Sequence, residues 1–387
     1  MIEEDSRRTV RILSDLVAIP SVNPREGATD GGESRVAGYL AGWASRHGWE
    51  CRLEEAVPGR HNAYVEIPGT LQGTILLQTH TDTVETEEMT VPAFSVQHDE
   101  AKGTVTGRGV CDAKGQLAMF MAAIEGVVAG GHPRHSVLLA ACVDEEHRYR
   151  GVTALCADLP SGCIGGVVGE PTELRMVAAQ KGVVRCTITI SGPGGHSSKP
   201  DQVPNPIAGA AEIVTYISRT LQAELTRRSE PLVGAGSIAV TTISGGEAIN
   251  IIPTRVEIQV DRRTLPSEDP DEVWRNFRRD IENRWPQASV APPSLIDHGL
   301  PPALGSPFHD LFQGSLATAG GDPEPIGVPF GSDASKIVRC GIPVVVFGAG
   351  SIDQAHTPTE FVPVAELVTG RKVIESLLTG GQSHVAL

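Results

Sequence analysis

The sequence predicts an α/β protein: a mostly parallel central sheet flanked by helices, with a ferredoxin-like α+β domain inserted into it. Three observations carry this. Apolar runs at 75–79, 137–143 and 164–168 alternate with helical patterns, the order of a largely parallel sheet. Near residue 180 the pattern switches to strict alternation. Val184, Cys186, Ile188 and Ile190 interleave with Arg185, Thr187 and Thr189, the mark of a strand with one wet face. The length, 387 residues, exceeds one typical domain.

Residues 6–18 carry Val10, Leu13 and Val17 on one helical face, and Ile19-Pro20-Ser21 ends that helix. A second helix fits 33–47. Strands fit 62–67 and 75–79, and 83–107 reads as loop and hairpin closing on Gly107-Arg108-Gly109. Residues 115–129 form a small-residue helix suited to close packing. The strand 137–143 runs directly into Asp144-Glu145-Glu146, and 164–168 into Gly169-Glu170-Pro171. Within the insert, a helix spans 206–222 and strands fit 237–243 and 256–260. Asp269-Pro270 then opens a helix with Val273, Trp274, Phe277 and Ile281 inward. The order β-α-β-β-α-β is ferredoxin-like. The core resumes with a helix at 307–319, a strand at 343–348 and a last helix at 363–379. The expected division is 1–179 with 295–387 for the core, and 180–294 for the insert.

Acidic residues outnumber basic ones, 47 to 32, giving a net charge of −15 that argues against nucleic acid and anionic membranes as partners. No apolar stretch approaches the ~18 residues of a membrane span. The start, Met1-Ile2-Glu3-Glu4-Asp5, lacks the basic and apolar regions of a signal peptide. Seven cysteines without a C-x-x-C pair fit reduced thiols, so a cytoplasmic location is expected.

Five positions stand out: His80, Asp112, the pair Glu145-Glu146, Glu170 and His356. Singly, each has an ordinary reading. Asp112 is a turn residue among glycines, the glutamate pair a solvated strand end, Glu170-Pro171 loop punctuation, and His356 a surface histidine. Jointly, four of the five follow strands of a parallel sheet, whose carboxyl ends share one edge. Two imidazoles with carboxylates and no cysteine suit a hydrolytic zinc site rather than a structural one. A carboxylate can bridge two cations, and the ligands suffice for two metals. Asp82, two residues past His80, is spaced to hold the imidazole's other nitrogen. In an adjacent glutamate pair, one side chain can bind metal while its neighbour takes a proton from water. No phosphate loop and no G-x-S-x-G elbow is present.

These residues fall in the motifs Thr79-His80-Thr81-Asp82, Gly107-Arg108-Gly109-Val110-Cys111-Asp112-Ala113-Lys114-Gly115, Val143-Asp144-Glu145-Glu146, Gly169-Glu170-Pro171-Thr172, Gly194-Gly195-His196-Ser197-Ser198 and Ala355-His356-Thr357-Pro358-Thr359-Glu360. With them, nearly the whole chain resembles the zinc-dependent amidohydrolase family of acetylornithine deacetylase, succinyl-diaminopimelate desuccinylase, aminoacylase and glutamate carboxypeptidase. The approach Gly348-Ala349-Gly350-Ser351-Ile352-Asp353-Gln354-Ala355-His356 is most similar to the acetylornithine deacetylase branch. The resemblance implies a zinc-peptidase catalytic domain, a lid and dimerisation domain at 180–294, and hydrolysis of the amide of an N-acyl-L-amino acid. It implies two zinc ions, with cobalt or manganese able to substitute. Asp112 would bridge them, His80 and Glu170 completing one site, Glu146 and His356 the other. Glu145 would be the general base, with Asp82 behind His80. Relatives have a cis peptide bond after the bridging aspartate, expected here at Asp112–Ala113.

The same resemblance gives the insert three roles. His196 would donate to the developing oxyanion, in relatives across a subunit boundary, so a homodimer is expected. Arg263 would grip the substrate carboxylate, with Arg262 on the opposite strand face. Asn250 would contact substrate, and Ser332 in Gly331-Ser332-Asp333-Ala334 would line the pocket. The competing activities are a desuccinylase, a dipeptidase or a carboxypeptidase. An inactive binding homologue is disfavoured by the presence of Glu145 and all five ligands.

Overall fold

The computed structural model describes residues 2–25 and 32–380. Met1 of the acidic start, 26–31 and the 381–387 end of the expected core lie outside them. The chain divides into two compact units: Met1–Ala178, Pro302–Ile326 and Ser332–Leu387 form one, Ala179–Pro301 and Gly327–Gly331 the other.

In the first unit the strands run in the order Glu50–Val57, Arg60–Ile67, His135–Cys142, Leu71–His80, Cys163–Val168, Val344–Val346. The last four are parallel to one another, and the first two extend the edge in antiparallel fashion. The expected parallel pattern therefore describes the middle of a mixed sheet. Ile75, Leu76 and Leu77 are fully buried there, which accounts for an unbroken apolar run. The register sets His80 opposite Cys142 and Gln78 opposite Val168, so the carboxyl ends of these strands share one edge.

Helix Lys114–Ala129 packs between Ile2–Val17 and Val364–Thr379. Small residues permit this: a Cβ on Gly115 would stand 2.1 Å from the Val110 carbonyl oxygen. Among the elements absent from the sequence-based expectation are an edge strand and a short helix. Strand Glu50–Val57 is an edge strand with a largely exposed pattern, and helix Arg150–Ala157 buries only Gly151, Val152 and Leu155. Neither shows strong apolar periodicity.

The second unit holds an antiparallel sheet in the order Ser237–Gly245, Arg255–Thr264, Gly182–Ser191, Ala288–Val290. This is the ferredoxin-like arrangement. Helix Pro206–Thr215, continued through a wide turn at Tyr216–Leu221, and helix Pro270–Arg284 bury Ile213, Ile217, Phe277 and Ile281 against Ile188, Ile190 and Ile258. Asp269 caps the second helix, accepting from the Asp271 and Glu272 N–H groups. The unit extends past the expected residue 294 because Leu295–Asp297 pairs with Gly182–Ser191. It gains Gly327–Gly331 because the Lys181 N–H donates to the Val328 carbonyl.

Candidate metal centre

His80 ends the strand Leu71–His80 and is buried. Its Nδ1–H donates to the Asp82 carbonyl at 2.9 Å, which fixes the tautomer and leaves Nε2 facing Asp112 Oδ1 at 2.9 Å. The other oxygen of that carboxylate lies 3.3 Å from His356 Nε2. His356 Nε2 is also 3.0 Å from Glu146 Oε1. Donor atoms of His80, Asp112 and Glu146 all lie within 4.8 Å of one another. One carboxylate thus offers one oxygen to each of two imidazoles. The Asp112–Ala113 peptide bond is cis.

The electrostatics suit a cation. Burial raises the Glu145 and Glu170 carboxyls well above their usual range, and neighbouring carboxylates, Glu170 for the first and Asp112 for the second, raise them further. Burial and Asp112 likewise raise Glu146, against the pull of His356. Contacts with Asp112 and Glu146 push His356 up to about 10. Burial opposes charge on His80, but Asp112 and Asp82 outweigh it and hold its pKa well above the usual imidazole value. A ring nitrogen that faces only carboxylate oxygens either carries a proton or binds a cation. Two such nitrogens among clustered carboxylates form a nitrogen-and-oxygen donor set that fits zinc.

Behind these groups lies a polar layer. Asp82 Oδ1 accepts the Glu145 N–H at 3.1 Å, and Oδ2 accepts the Glu146 N–H at 3.1 Å and Asn23 Nδ2 at 2.6 Å. Its Oδ1 stands 3.5 Å from His80 Nδ1. The expected carboxylate grip on the imidazole is therefore the longer contact; the Asp82 carbonyl makes the shorter one, and the carboxylate chiefly secures the glutamate turn. Asp144 precedes that turn with φ 68°, a left-handed backbone unusual outside glycine. Its buried carboxylate accepts from Arg60, Arg150 and Asn23. Glu33, also buried, pairs with the Arg60 guanidinium and accepts the Asp144 N–H at 3.0 Å. Asn23, Glu33 and Arg60 escaped the sequence reading. They lie 59 to 121 residues from most of their partners, and no local spacing marks them.

Glu170 is buried two residues past the strand Cys163–Val168. Asp333 belongs with these acids: it is buried, accepts Gln78 Nε2 at 2.5 Å, and burial pushes it up to about 6. Ser332, expected to line the pocket, immediately precedes Asp333. It is fully buried, and its Oγ accepts the Ala334 N–H at 3.3 Å.

The second unit brings His196 and Asn250 together. Gly195-His196 pairs with Ile251-Ile252, and the Ser197 N–H donates to the Asn250 carbonyl. His196 Nδ1 accepts from the Ser198 N–H at 3.2 Å, so the proton sits on Nε2, where it can be donated. Arg263 Nε donates to Asp261 at 2.8 Å, while Arg262 pairs with Glu268 at 3.2 Å.

The sequence profile of peptidase family M20/M25/M40 matches residues 76–380. The chain belongs to this family. Its members include metallopeptidases and deacetylases, so the protein is a hydrolase of an amidohydrolase and metallopeptidase group. It is 27% identical over 380 residues to an acetylornithine deacetylase of Proteus mirabilis strain HI4320, covering 95% of each chain. It is 29% identical over 384 residues to one of Yersinia pseudotuberculosis serotype O:1b, covering 95% of this chain and 96% of the other. The fold is that of a Staphylococcus aureus tripeptidase, with a TM-score of 0.80 at 21% identity over 97% of this chain and 98% of the other. A Bacillus subtilis protein described as a dinuclear metal-binding peptidase of this family aligns with a TM-score of 0.67 at 17% identity, over 97% and 98%. No helix among the described residues is long and apolar enough to cross a membrane.

Proposed function

We propose that this M20-family hydrolase removes the acyl group of an N-acyl-L-amino acid, in the manner of an acetylornithine deacetylase. The observation that carries the reading is the Asp112 carboxylate set between His80 Nε2 and His356 Nε2. In it, His80, Asp112 and Glu170 would hold one zinc ion, and Asp112, Glu146 and His356 a second. Bound there, such ions lower the pKa of water and polarise the scissile carbonyl.

The chain's own groups do the rest. A carboxylate oxygen of Glu145 takes the proton of the attacking water as the C–O bond forms, then returns it to the nitrogen as the C–N bond breaks. Asp82 supports this by securing the Glu145 and Glu146 N–H groups. The Nε2–H of His196 donates to the oxygen that gains charge. Arg263 binds the substrate carboxylate through its planar guanidinium, and Asn250 adds a polar contact. The working enzyme is a cytoplasmic homodimer joined through the second unit, His196 serving its partner's site.

A panel of N-acetyl, N-succinyl and dipeptide substrates, assayed with zinc-loaded enzyme, tests the reading. N-acetyl amino acids should give the highest kcat/KM. A clear preference for N-succinyl or dipeptide substrates would reassign the protein within the family, and turnover of none would sink the proposal.

A further inference from the structure

Glu360 closes the motif that contains His356, and the chemistry proposed above gives it no role. It is fully buried. The strand after it, Phe361–Pro363, pairs antiparallel with Thr104–Thr106, with Phe361 opposite Thr106. That register brings Glu360 against the loop 107–112, and the Gly107 N–H donates to its carbonyl at 3.2 Å. The carboxylate then gathers four donors from this loop. Oε2 accepts Arg108 Nη1 at 2.8 Å and the Gly109 N–H at 3.1 Å. Oε1 accepts the Cys111 N–H at 2.8 Å and the Asp112 N–H at 3.0 Å. Gly109, at φ 83°, curls the loop so that these groups converge on one anion.

We propose that Glu360 is a positioning residue for the metal centre. It fixes the backbone of Asp112, and through it the direction in which the two carboxylate oxygens point. It also stands four residues after His356, so one side chain ties the loop carrying Asp112 to the loop carrying His356. Two of the three groups that would share the second metal, Asp112 and His356, therefore keep their spacing without relying on that metal. This rests on the metal reading above and extends it to a residue that touches neither metal nor substrate. Carboxylates that orient metal-binding side chains are worth roughly 10–100-fold in affinity.

The test measures zinc affinity of the full-length chain by competition with a chromophoric chelator, alongside thermal melting of the metal-free protein. Glu360→Gln keeps the shape but turns an amide N–H₂ toward donors. Zinc affinity should fall roughly 10–100-fold. Ile281→Ala, a fully buried core truncation in the second unit, is the control for a purely structural effect. It should lower the melting temperature and leave zinc affinity at the wild-type value. Glu360→Asp keeps the charge and shortens the reach by one methylene. It carries the same test if Glu360→Gln does not fold, with the same direction expected. Wild-type zinc affinity in the folded Glu360 variant overturns the inference alone. Failure of the wild type to bind zinc overturns the metal reading and the inference with it.

Discussion

The groups expected at the metals and those expected at the substrate are built in opposite ways. In the first unit His80, Asp112 and Glu170 are buried, Glu146 is half-buried and only His356 is exposed, and the surrounding groups secure one another: Asp82 secures the glutamate turn, Arg60 secures Asp144, Glu360 secures Asp112. In the second unit His196 and Asn250 are exposed, His196 on a two-residue ladder and Asn250 just before its partner strand, and Ile249 beside them is 102% exposed. The difference is physical. Like charges packed together hold their geometry only if the surroundings determine it in advance. Groups that meet a substrate from solution must stay open until it arrives, and the substrate itself can order them.

The largest expected effect lies in the first unit. Removing metal with a chelator should abolish turnover, and added zinc or cobalt should restore it in an activity assay. Full activity in a metal-free sample would break the comparison at its root. Glu145→Gln should keep zinc but lose about 10²–10⁴-fold in kcat, whereas Glu146→Gln should lose zinc affinity in a chelator competition. The opposite pattern would exchange their roles.

Arg60→Met probes the bracing itself. It leaves Glu33 as a buried carboxylate without its cation, while Asp144 keeps Arg150 and Asn23; removing one partner of a buried pair costs about 3–5 kcal/mol. Urea unfolding should register that loss; a loss below about 1 kcal/mol, the scale of a surface pair, would show that the cluster is not a brace. In the second unit Arg263→Ala should act on recognition instead, lowering kcat/KM by about 10–100-fold, the weight of hydrogen bonds to a charged group, chiefly through KM. Its melting temperature should stay near wild type. A large melting loss would make Arg263 structural and erase the contrast between the units.

The smallest signal comes from mixing inactive subunits. A His196→Ala chain combined with a Glu145→Gln chain should regain about half the activity of one wild-type dimer, because one of two symmetric composite sites is intact. Hybrid dimers that form without recovering activity would confine His196 to its own chain.

The gathering of His80, Asp112, Glu146 and His356 was legible because parallel strands bring their carboxyl ends to one edge, and these residues follow such strands or a glycine-rich turn. The ferredoxin-like order was legible from the switch to period-two alternation at Val184. The bracing was not. Glu360 reaches the Asp112 N–H across 248 residues of sequence, and Arg60 reaches Asp144 across 84. These are side-chain bonds to backbone or to other side chains, which leave no periodic trace. Asp82 was found through its spacing from His80, yet its carboxylate makes its shorter contacts elsewhere.

The insertion also sets an order of events on the ribosome. The chain from Ala179 to Pro301 forms the second unit, so it emerges after His80, Asp112, Glu146 and Glu170 but before His356 and Glu360. A nascent chain halted near residue 178 has made four of the five candidate ligands and lacks both His356 and the carboxylate that gathers the loop 107–112. Strand Val344–Val346, which pairs with Cys163–Val168, is missing as well. The second unit, made of one nearly continuous segment, can fold as it appears, in keeping with the tendency of domains to fold as units during synthesis. The candidate centre of the first must wait until His356 and Glu360 have been made, after the whole segment Ala179–Pro301 has emerged, so it is completed across an already folded insert.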